Sequence, residues 1–211
     1  MTIEHIAIIG AGQMGNGIAQ VSSCAGYKVT MIDIKQEFVE KGISAIEKSL
    51  NKLVSKEKMT SEEAASALSR ISISTDNSSA AEADLVVEAI PEVLAYKTAL
   101  FKELDSLCKN ETILATNTSS ISIDSIANAT KRPDRVIGMH FMNPVPIMRL
   151  VEIINGSKTS NEVNSAVVNA AEKMGKTALS CNDSPGFVSN RILCPMTVSY
   201  THLTLPTILR V

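Results

Sequence analysis

Short apolar runs alternate along the chain with longer stretches in which apolar residues recur at helical spacing. A short, continuous apolar run is typical of a strand that is covered on both faces of a sheet. Apolar residues three and four positions apart indicate a helix with one buried face. The predicted strands are HIAIIG, KVTMID, RISIST, DLVVEA, TILATN, RVIGMH, LVEII and KTALSC.

Helical patterns lie between most of these predicted strands. The first helix follows HIAIIG, and Gly26 is its expected stop. Residues 36 to about 70 are polar with periodic Ile, Leu and Val, which predicts two helices, the second beginning at TSEEAASAL. That stretch is long for a simple crossover and could project from the body. Later helices are predicted in AYKTALFKELDSLCK, SIDSIANA and SNEVNSAVVNAAEKMG.

The alternation of strands and helices predicts the fold class. Short connections between successive strands and helices produce parallel strands that are joined by right-handed crossovers. We therefore expect an α/β fold with a doubly wound, mostly parallel sheet and a helical excursion after the second strand. At 211 residues the chain is long enough to bury a substantial core.

Composition and charge narrow the class of partner. A net charge of -2 and an isoelectric point near 6.0 give no reason to expect nucleic acid or an anionic membrane as partner. No apolar stretch approaches the roughly 20 residues that span a bilayer, and no secretory signal is visible, so we expect a cytoplasmic location. The four cysteines lack metal-ligand spacing, so we expect free thiols and no metal site.

The turn after the first predicted strand has G-x-G-x-x-G spacing, with Gly10, Gly12 and Gly15 in the stretch GAGQMG. Glycine at these positions permits a tight turn, close approach of the backbone to a pyrophosphate, and close packing of helix on strand. The same spacing also occurs in ordinary glycine-rich turns. Here it follows a strand and opens a helix whose N–H groups would face phosphates, which favours a Rossmann-type dinucleotide site that includes Gln13 and Met14.

Asp33 ends the second predicted strand, 18 positions after Gly15. A carboxylate at this place can accept hydrogen bonds from the adenosine ribose hydroxyls and would repel a 2'-phosphate. NAD is therefore the expected cofactor and NADP is less favoured, although the nearby Lys35 weakens the preference.

Polar residues gather after the other predicted strands as well. In open α/β sheets, ligands bind outside the carboxyl ends of the strands, so these side chains would share one edge with the glycine turn. The residues concerned are Glu88, Glu92, Asn117, Ser119, His140 and Asn143.

His140 and Glu152 form a candidate acid–base pair. A lone histidine at a strand end is more often structural than catalytic. Glu152, however, interrupts the apolar run LVEII, and a carboxylate is costly to bury without a partner. Paired with His140 across the NPVP turn, it would fix the imidazole tautomer and leave the other ring nitrogen to substrate. The alternative is that Glu152 points outward into solvent.

With these residues the sequence resembles the (S)-3-hydroxyacyl-CoA dehydrogenase family, most closely its bacterial 3-hydroxybutyryl-CoA dehydrogenases. The resemblance covers residues 3–196. It implies NAD-dependent oxidation of an acyl-CoA substrate, a 3-hydroxyacyl-CoA, to the 3-oxoacyl-CoA, or the reverse reduction, by a homodimer. The matching stretches are IGAGQMGNGIAQ, DLVVEAIPE, ILATNTSSISI, RVIGMHFMNPVPIMRLVEII and DSPGFVSNRIL.

The resemblance also implies roles for single residues. His140 would be the general base, and Glu152 would orient it. Ser119 and Asn190 would hydrogen-bond the reacting oxygen and hold the acyl group. The family's cofactor positions fall on Asp33, Glu92, Lys97, Ser119 and Asn143, and its CoA-contact positions fall on Ser49 and Lys56.

One charge pattern agrees with a CoA site. Lys48, Lys52 and Lys56 recur every four residues, which places three ammonium groups on one helix face. Such a stripe could meet CoA phosphates. An ordinary solvated surface explains the stripe equally well and is the more common case.

The resemblance divides the chain at residue 184. Residues 1–183 would form the NAD-binding domain, and residues 184–211 would begin an incomplete all-α domain that in the family dimerises and closes the site. The end of the chain, residues 198–211, departs from the family. It is rich in Thr, Pro and β-branched residues, and we expect it to be a poor continuation of a helix that begins near Pro185. Apolar residues meant for absent helices would then be exposed.

Two functions of different classes remain open. The chain is either part of an acyl-CoA dehydrogenase, or as written a dinucleotide-binding module that holds NAD without turnover. The related hydroxyacid dehydrogenases with a catalytic lysine share the glycine turn, but they give no account of the His140–Glu152 pair.

Overall fold

The computed structural model describes the backbone of residues 1–208 and the side chains of residues 1–198. Helices and strands alternate along the described chain, as the apolar pattern predicts. The strands are β1 (His5–Ile9), β2 (Lys28–Ile32), β3 (Ile71–Ser74), β4 (Leu85–Glu88), β5 (Ile113–Thr116), β6 (Val136–Phe141), β7 (Leu150–Asn155) and β8 (Thr177–Asn182). The α-helices are α1 (Gln13–Cys24), α2 (Gln36–Val54), α3 (Ser61–Ser69), α4 (Leu94–Leu107), α5 (Ile123–Ala127), α6 (Asn161–Lys173) and α7 (Ser189–Ile208).

All eight of these strands lie in one sheet, in the order β3-β2-β1-β4-β5-β6-β7-β8. Every neighbouring pair is parallel except β6 and β7. The prediction of a doubly wound, mostly parallel sheet is therefore confirmed. The chain leaves β1 toward β2 and β3 and later returns to the other side of β1 with β4. This change of direction places the end of β1 at the position where such sheets bind ligands.

The sheet has a hydrophobic core on each face. Because side chains alternate along a strand, β1 directs Ile6 and Ile8 to one face and Ala7 and Ile9 to the other. Helices α1, α2, α3 and α6 cover the first face, and α4 and α5 cover the second. A strand buried on both faces requires a continuous apolar run, which is why HIAIIG is apolar throughout.

The predicted helical excursion consists of α2 and α3. Thr60 accepts a hydrogen bond from the backbone N–H of Glu63, whose side chain accepts the backbone N–H of Thr60 in return, and this capping box starts α3. The expectation that the excursion could project from the body is wrong for α2. A β-carbon added to Gly42 would lie 2.9 Å from the Cε of Met31, so α2 packs closely against the sheet.

Helix α7 corrects the expectation for the end of the chain. Its backbone is helical from Ser189 to Ile208 and passes through Pro195 and Pro206, so residues 198–208 do continue the helix. Proline in a helix interior lacks the N–H donor, crowds the preceding turn and costs about 3 kcal/mol, but its fixed φ of about −65° is compatible with a helix, and β-branched residues carry only a small penalty. Residues 209–211 lie outside the described residues. Within the described chain, no helix has the length and apolar character needed to cross a bilayer.

Candidate functional site

The glycine turn connects β1 to α1. Gly10 has a φ of 106°, and a β-carbon added there would lie 2.6 Å from the carbonyl oxygen of Ala89. A β-carbon added to Gly15 would lie 1.7 Å from the carbonyl oxygen of Gly10. By contrast, one added to Gly12 would have no atom within 4 Å. Packing within the protein therefore requires glycine at positions 10 and 15, whereas position 12 faces open space.

Asp33 lies just beyond β2 and braces this turn. Its Oδ2 accepts the backbone N–H of Ala11 at 2.7 Å, and its Oδ1 accepts the N–H of Ile34 at 2.7 Å. Each carboxylate oxygen can still accept a further hydrogen bond from a ligand. The carboxylate borders a cleft of about 780 Å³ beside the turn. The other lining residues include Gly10, Gly12, Gln13, Met14, Phe38, Lys41, Ile90 and Tyr96.

The turn and cleft fit a dinucleotide. Gly12 is the residue before the first residue of α1, where N–H groups without a partner in the helix favour an anion. A β-carbon added to Gly12 would meet no atom within 4 Å, so the start of α1 borders open space that gives room for a pyrophosphate. Asp33 supplies the carboxylate that ribose hydroxyls require. Gln13 and Met14 line the same cleft.

His140 and Glu152 are brought together by the antiparallel pairing of β6 and β7. The two residues lie directly opposite each other in the register, and His140 Nδ1 lies 2.8 Å from Glu152 Oε2. His140 is 7% exposed and Glu152 is fully buried. The alternative of an outward-pointing Glu152 is excluded. With Nδ1 bonded to the carboxylate, Nε2 is the ring atom that can exchange a proton with a ligand.

The second oxygen of Glu152 fixes the start of α7. Oε1 accepts the backbone N–H groups of Val188 at 3.0 Å and Ser189 at 2.7 Å. Burial raises the pKa of Glu152, but these N–H groups and His140 outweigh it, so the pKa lies below its ordinary value. The ring of Phe187 lies 5.9 Å from the imidazole of His140, centre to centre. The carboxylate is therefore an ionised anchor for both the imidazole and the helix.

Lys97 lies between two carboxylates. Its Nζ is 2.6 Å from Glu88 Oε1 and 3.2 Å from Glu92 Oε2. Glu88 and Lys97 are 0% and 1% exposed, whereas 38% of the Glu92 side chain is exposed. Burial raises the pKa of Glu92, but the hydrogen bond from Thr118 and the charge of Lys97 together outweigh this effect. The pKa therefore lies below its ordinary value, and the carboxyl is held ionised.

Glu92 holds the loop after β5 that carries Ser119. Its Oε1 accepts the backbone N–H of Ser119 at 3.0 Å and of Ser120 at 3.3 Å, and it also accepts the hydroxyl of Thr118. The side-chain amide of Asn190, in α7, donates to the carbonyl oxygen of Ser119 at 3.1 Å. The structure thus joins Ser119 and Asn190, which are 71 positions apart in the sequence.

Two asparagines join the elements around the site. The side-chain amide of Gln13 donates to Asn143 Oδ1 at 3.1 Å, which ties the glycine turn to the loop after β6. Asn117 Oδ1 accepts the backbone N–H of Phe141 at 2.9 Å. Asn143 therefore lies at the predicted edge, and Asn117 serves to tie β5 to β6.

The predicted CoA contacts lie elsewhere. Ser49 is a half-buried residue of α2, and Lys56 is exposed just beyond the end of that helix. Among the described residues, neither lines the cleft beside the glycine turn. The exposure of Lys48, Lys52 and Lys56 also suits the solvated-surface interpretation.

Sequence reasoning gave no role to several residues that shape the site. Thr118 bonds to Glu92, and the ring of Phe187 packs near His140. Lys176 donates to the carbonyl oxygens of Val145 and Met148, in the loop between β6 and β7. No local pattern marks such residues, because their contacts cross between elements. For Lys176 the only available signal is a charged residue at the start of the predicted strand KTALSC.

Comparison with known proteins identifies the family of this chain. The 3-hydroxyacyl-CoA dehydrogenase NAD-binding domain family matches residues 5–184. A probable 3-hydroxybutyryl-CoA dehydrogenase of Bacillus subtilis (strain 168) is 54% identical over 196 residues, which are 93% of this chain and 68% of that protein.

Solved structures agree with the fold. FadB2 of M. tuberculosis superposes with a TM-score of 0.95 at 38% identity, covering 99% of this chain and 74% of its own. The (S)-3-hydroxybutyryl-CoA dehydrogenase PaaH1 of Ralstonia eutropha superposes with a TM-score of 0.91 at 46% identity, covering 92% of this chain and 69% of its own.

Proposed function

The chain belongs to the 3-hydroxyacyl-CoA dehydrogenase family of NAD-dependent oxidoreductases, and from that premise we propose that it interconverts (S)-3-hydroxybutanoyl-CoA and acetoacetyl-CoA. The short acyl chain follows the names of the relatives from B. subtilis and R. eutropha. The observation that carries the proposal is the buried hydrogen bond of 2.8 Å between His140 and Glu152.

In the proposed mechanism, His140 Nε2 accepts the proton of the substrate hydroxyl. The bound NAD supplies the acceptor for the hydride that leaves carbon 3. Glu152 stabilises the imidazolium that forms, because its carboxylate is ionised and bonded to Nδ1. The Ser119 hydroxyl and the Asn190 amide hydrogen-bond the substrate oxygen and hold the acyl group. In the reverse direction, His140 returns the proton.

We assign the remaining predicted contacts in the same way. Asp33, Glu92, Lys97 and Asn143 hold the cofactor, with the glycine turn at its pyrophosphate. Ser49 and Lys56 meet the CoA moiety, with Lys48 and Lys52 adding positive charge. Residues 1–183 bind NAD, and α7 belongs to a second, helical unit through which the enzyme dimerises.

The proposal predicts that His140→Gln abolishes most of the turnover of acetoacetyl-CoA, followed by NADH absorbance. Loss of a positioned acid–base group costs about 10²- to 10⁴-fold in rate. The dissociation constant for NADH should stay within about twofold of wild type, since His140 acts on the substrate proton. His5→Gln is a matched control. It alters another buried histidine, whose Nε2 lies 2.8 Å from the hydroxyl of Thr30 in β2. This change should leave turnover unchanged.

The second candidate function is NAD binding without turnover. It is favoured by α7, where Ile192, Leu193 and Met196 are 54%, 56% and 61% exposed, so a partner surface for this helix is missing from the described chain. Folded wild-type protein that binds NADH but does not reduce acetoacetyl-CoA would establish this second function for the chain. Turnover that survives in His140→Gln would refute the role of His140.

A further inference from the structure

Glu88 is a fully buried carboxylate without a role in the mechanism above. It ends β4, and its partner Lys97 is only 1% exposed. An ionised group in such a place is stable only if it is paired and its hydrogen bonds are satisfied. The groups that bond to the Glu88 carboxylate therefore indicate which parts of the structure it positions.

Three groups bond to the Glu88 carboxylate. Oε1 accepts from Lys97 Nζ at 2.6 Å and from the backbone N–H of Ile90 at 2.7 Å. Oε2 accepts from the hydroxyl of Thr116 at 2.7 Å. One side chain thus joins the end of β4, the end of β5 and helix α4.

The pair connects to the loop that carries Ser119. Lys97 Nζ lies 3.2 Å from Glu92 Oε2, and the other oxygen of Glu92 accepts the backbone N–H of Ser119 at 3.0 Å. An unbroken series of polar contacts therefore runs from Glu88 through Lys97 and Glu92 to Ser119.

Glu88 is also next to the glycine turn. The residue after it, Ala89, places its carbonyl oxygen 2.6 Å from where a β-carbon of Gly10 would stand. Ala89 and Ile90 line the cleft beside the turn. A shift of the end of β4 would therefore change both the wall of the cleft beside the glycine turn and the loop that carries Ser119.

We propose that Glu88 is a positioning residue for the cofactor site, which holds the ammonium of Lys97 and, through it, the carboxylate of Glu92 against the Ser119 loop. The inference rests on the proposed function, in which Lys97 and Glu92 contact NAD. Without the charge of Glu88, Glu92 is the remaining carboxylate within 4 Å of Lys97 among the described residues. Lys97 then attracts the Glu92 carboxylate more strongly, and this attraction competes with the hydrogen bonds that Glu92 accepts from the N–H groups of the Ser119 loop.

The test is a titration of NADH fluorescence on the folded 211-residue chain carrying Glu88→Gln. This change keeps the size of the side chain and removes its charge. We expect the dissociation constant for NADH to rise about tenfold, in the middle of the range of coupling within one ion-pair network. Asp105→Asn is the matched control. It breaks a different, largely buried ion pair, with Arg132 at 2.8 Å, and should lower Tm without changing NADH affinity.

A double-mutant cycle separates positioning from a structural role. If Glu88 acts through Lys97, adding Glu88→Gln to Lys97→Met should not weaken NADH binding further. The double variant should also have a higher Tm than Lys97→Met alone, because it no longer buries an unpaired carboxylate. An equal loss of affinity in both backgrounds would overturn the proposal.

Two other results are decisive. NADH affinity of the folded Glu88→Gln variant within twofold of wild type would overturn the inference and leave the proposed function intact. If wild type itself does not bind NADH, the proposed function fails and the inference fails with it. Should Glu88→Gln not fold, Glu88→Asp replaces it. That variant keeps the charge and withdraws it by one methylene, so wild-type affinity there would likewise overturn the proposal.

Discussion

At the scale of single residues, the Glu152 carboxylate is held from both of its oxygens. It is fully buried, and each of its carboxylate oxygens has a partner, His140 on one side and the start of α7 on the other. Hydrogen bonds from N–H groups and from the imidazole offset the cost of burying the charge. The same carboxylate therefore contributes to the stability of the fold and to the orientation of His140.

This double use makes stability dependent on acid. The pKa of Glu152 is lower in the folded chain than in the unfolded chain, so its stabilising contribution is complete above the ordinary glutamate pKa of about 4.3. The contribution is lost as the pH falls through the lower, folded pKa. We predict that Glu152→Gln is less stable than wild type at pH 7 and that its free energy of unfolding falls less between pH 5 and 3. Urea unfolding at several pH values measures both.

An exposed glutamate provides the comparison for that experiment. Glu111→Gln removes a carboxylate from a surface loop and should leave both the stability at pH 7 and the acid dependence close to wild type. The explanation is wrong if Glu152→Gln and wild type lose stability in parallel as the pH falls.

At the scale of elements, the β1–α1 turn combines two different reasons for glycine. Gly15 is required by packing, since an added β-carbon would overlap the carbonyl oxygen of Gly10. Gly12 has an ordinary extended backbone, with φ −65° and ψ −171°, and free space in front of it. The fold thus needs one glycine, and the predicted pyrophosphate needs the other.

These reasons predict opposite effects of two similar substitutions. Gly12→Ala should keep the wild-type Tm but weaken NADH binding about tenfold or more, because the methyl group occupies the space of the pyrophosphate. Gly15→Ala should destabilise the fold by about 1–3 kcal/mol or more through overpacking. Thermal melts and NADH titrations on both variants test the pair. If the Gly12→Ala variant has unchanged NADH affinity, the glycine turn does not contact the cofactor.

At the scale of the whole molecule, the sheet makes the two cores one cooperative unit. Strands such as β1 and β4 contribute alternate residues to both faces, so neither core can lose its packing alone. Helix α7 is different. Its N-terminus donates a backbone N–H to Glu152, and its Asn190 donates to the carbonyl oxygen of Ser119. Farther along the helix, Ile192, Leu193 and Met196 are exposed.

We predict that Phe101→Ala, in the core beneath α4, lowers the free energy of unfolding by about 3–5 kcal/mol, the usual cost of such a cavity. Because the cores share their strands, unfolding should remain a single transition for circular dichroism and fluorescence alike. Ile147→Ala, at a residue 75% exposed, is the control and should change stability by less than about 0.5 kcal/mol. Two separate transitions in Phe101→Ala would show that the cores unfold independently.

Several features of the fold and site could be predicted from neighbouring residues alone. The runs HIAIIG and LVEII became β1 and β7, and the glycine turn opens a helix as its spacing predicts. These features depend on periodicity and on backbone sterics, which act over a few positions of the chain. The proposed pairing of His140 with Glu152 was also accessible, because a carboxylate in an apolar run requires a partner nearby.

The sequence by itself determined the class of fold, the position of the glycine turn between β1 and α1, and the pairing of His140 with Glu152. Only the tertiary structure decided that β7 runs antiparallel to β6, that α7 continues through two prolines, and that Glu88 lies buried against Lys97. The physical reason is that strand direction, burial of a charge and the partner of a carboxylate depend on which distant elements pack together. Those contacts exist only once the sheet has formed.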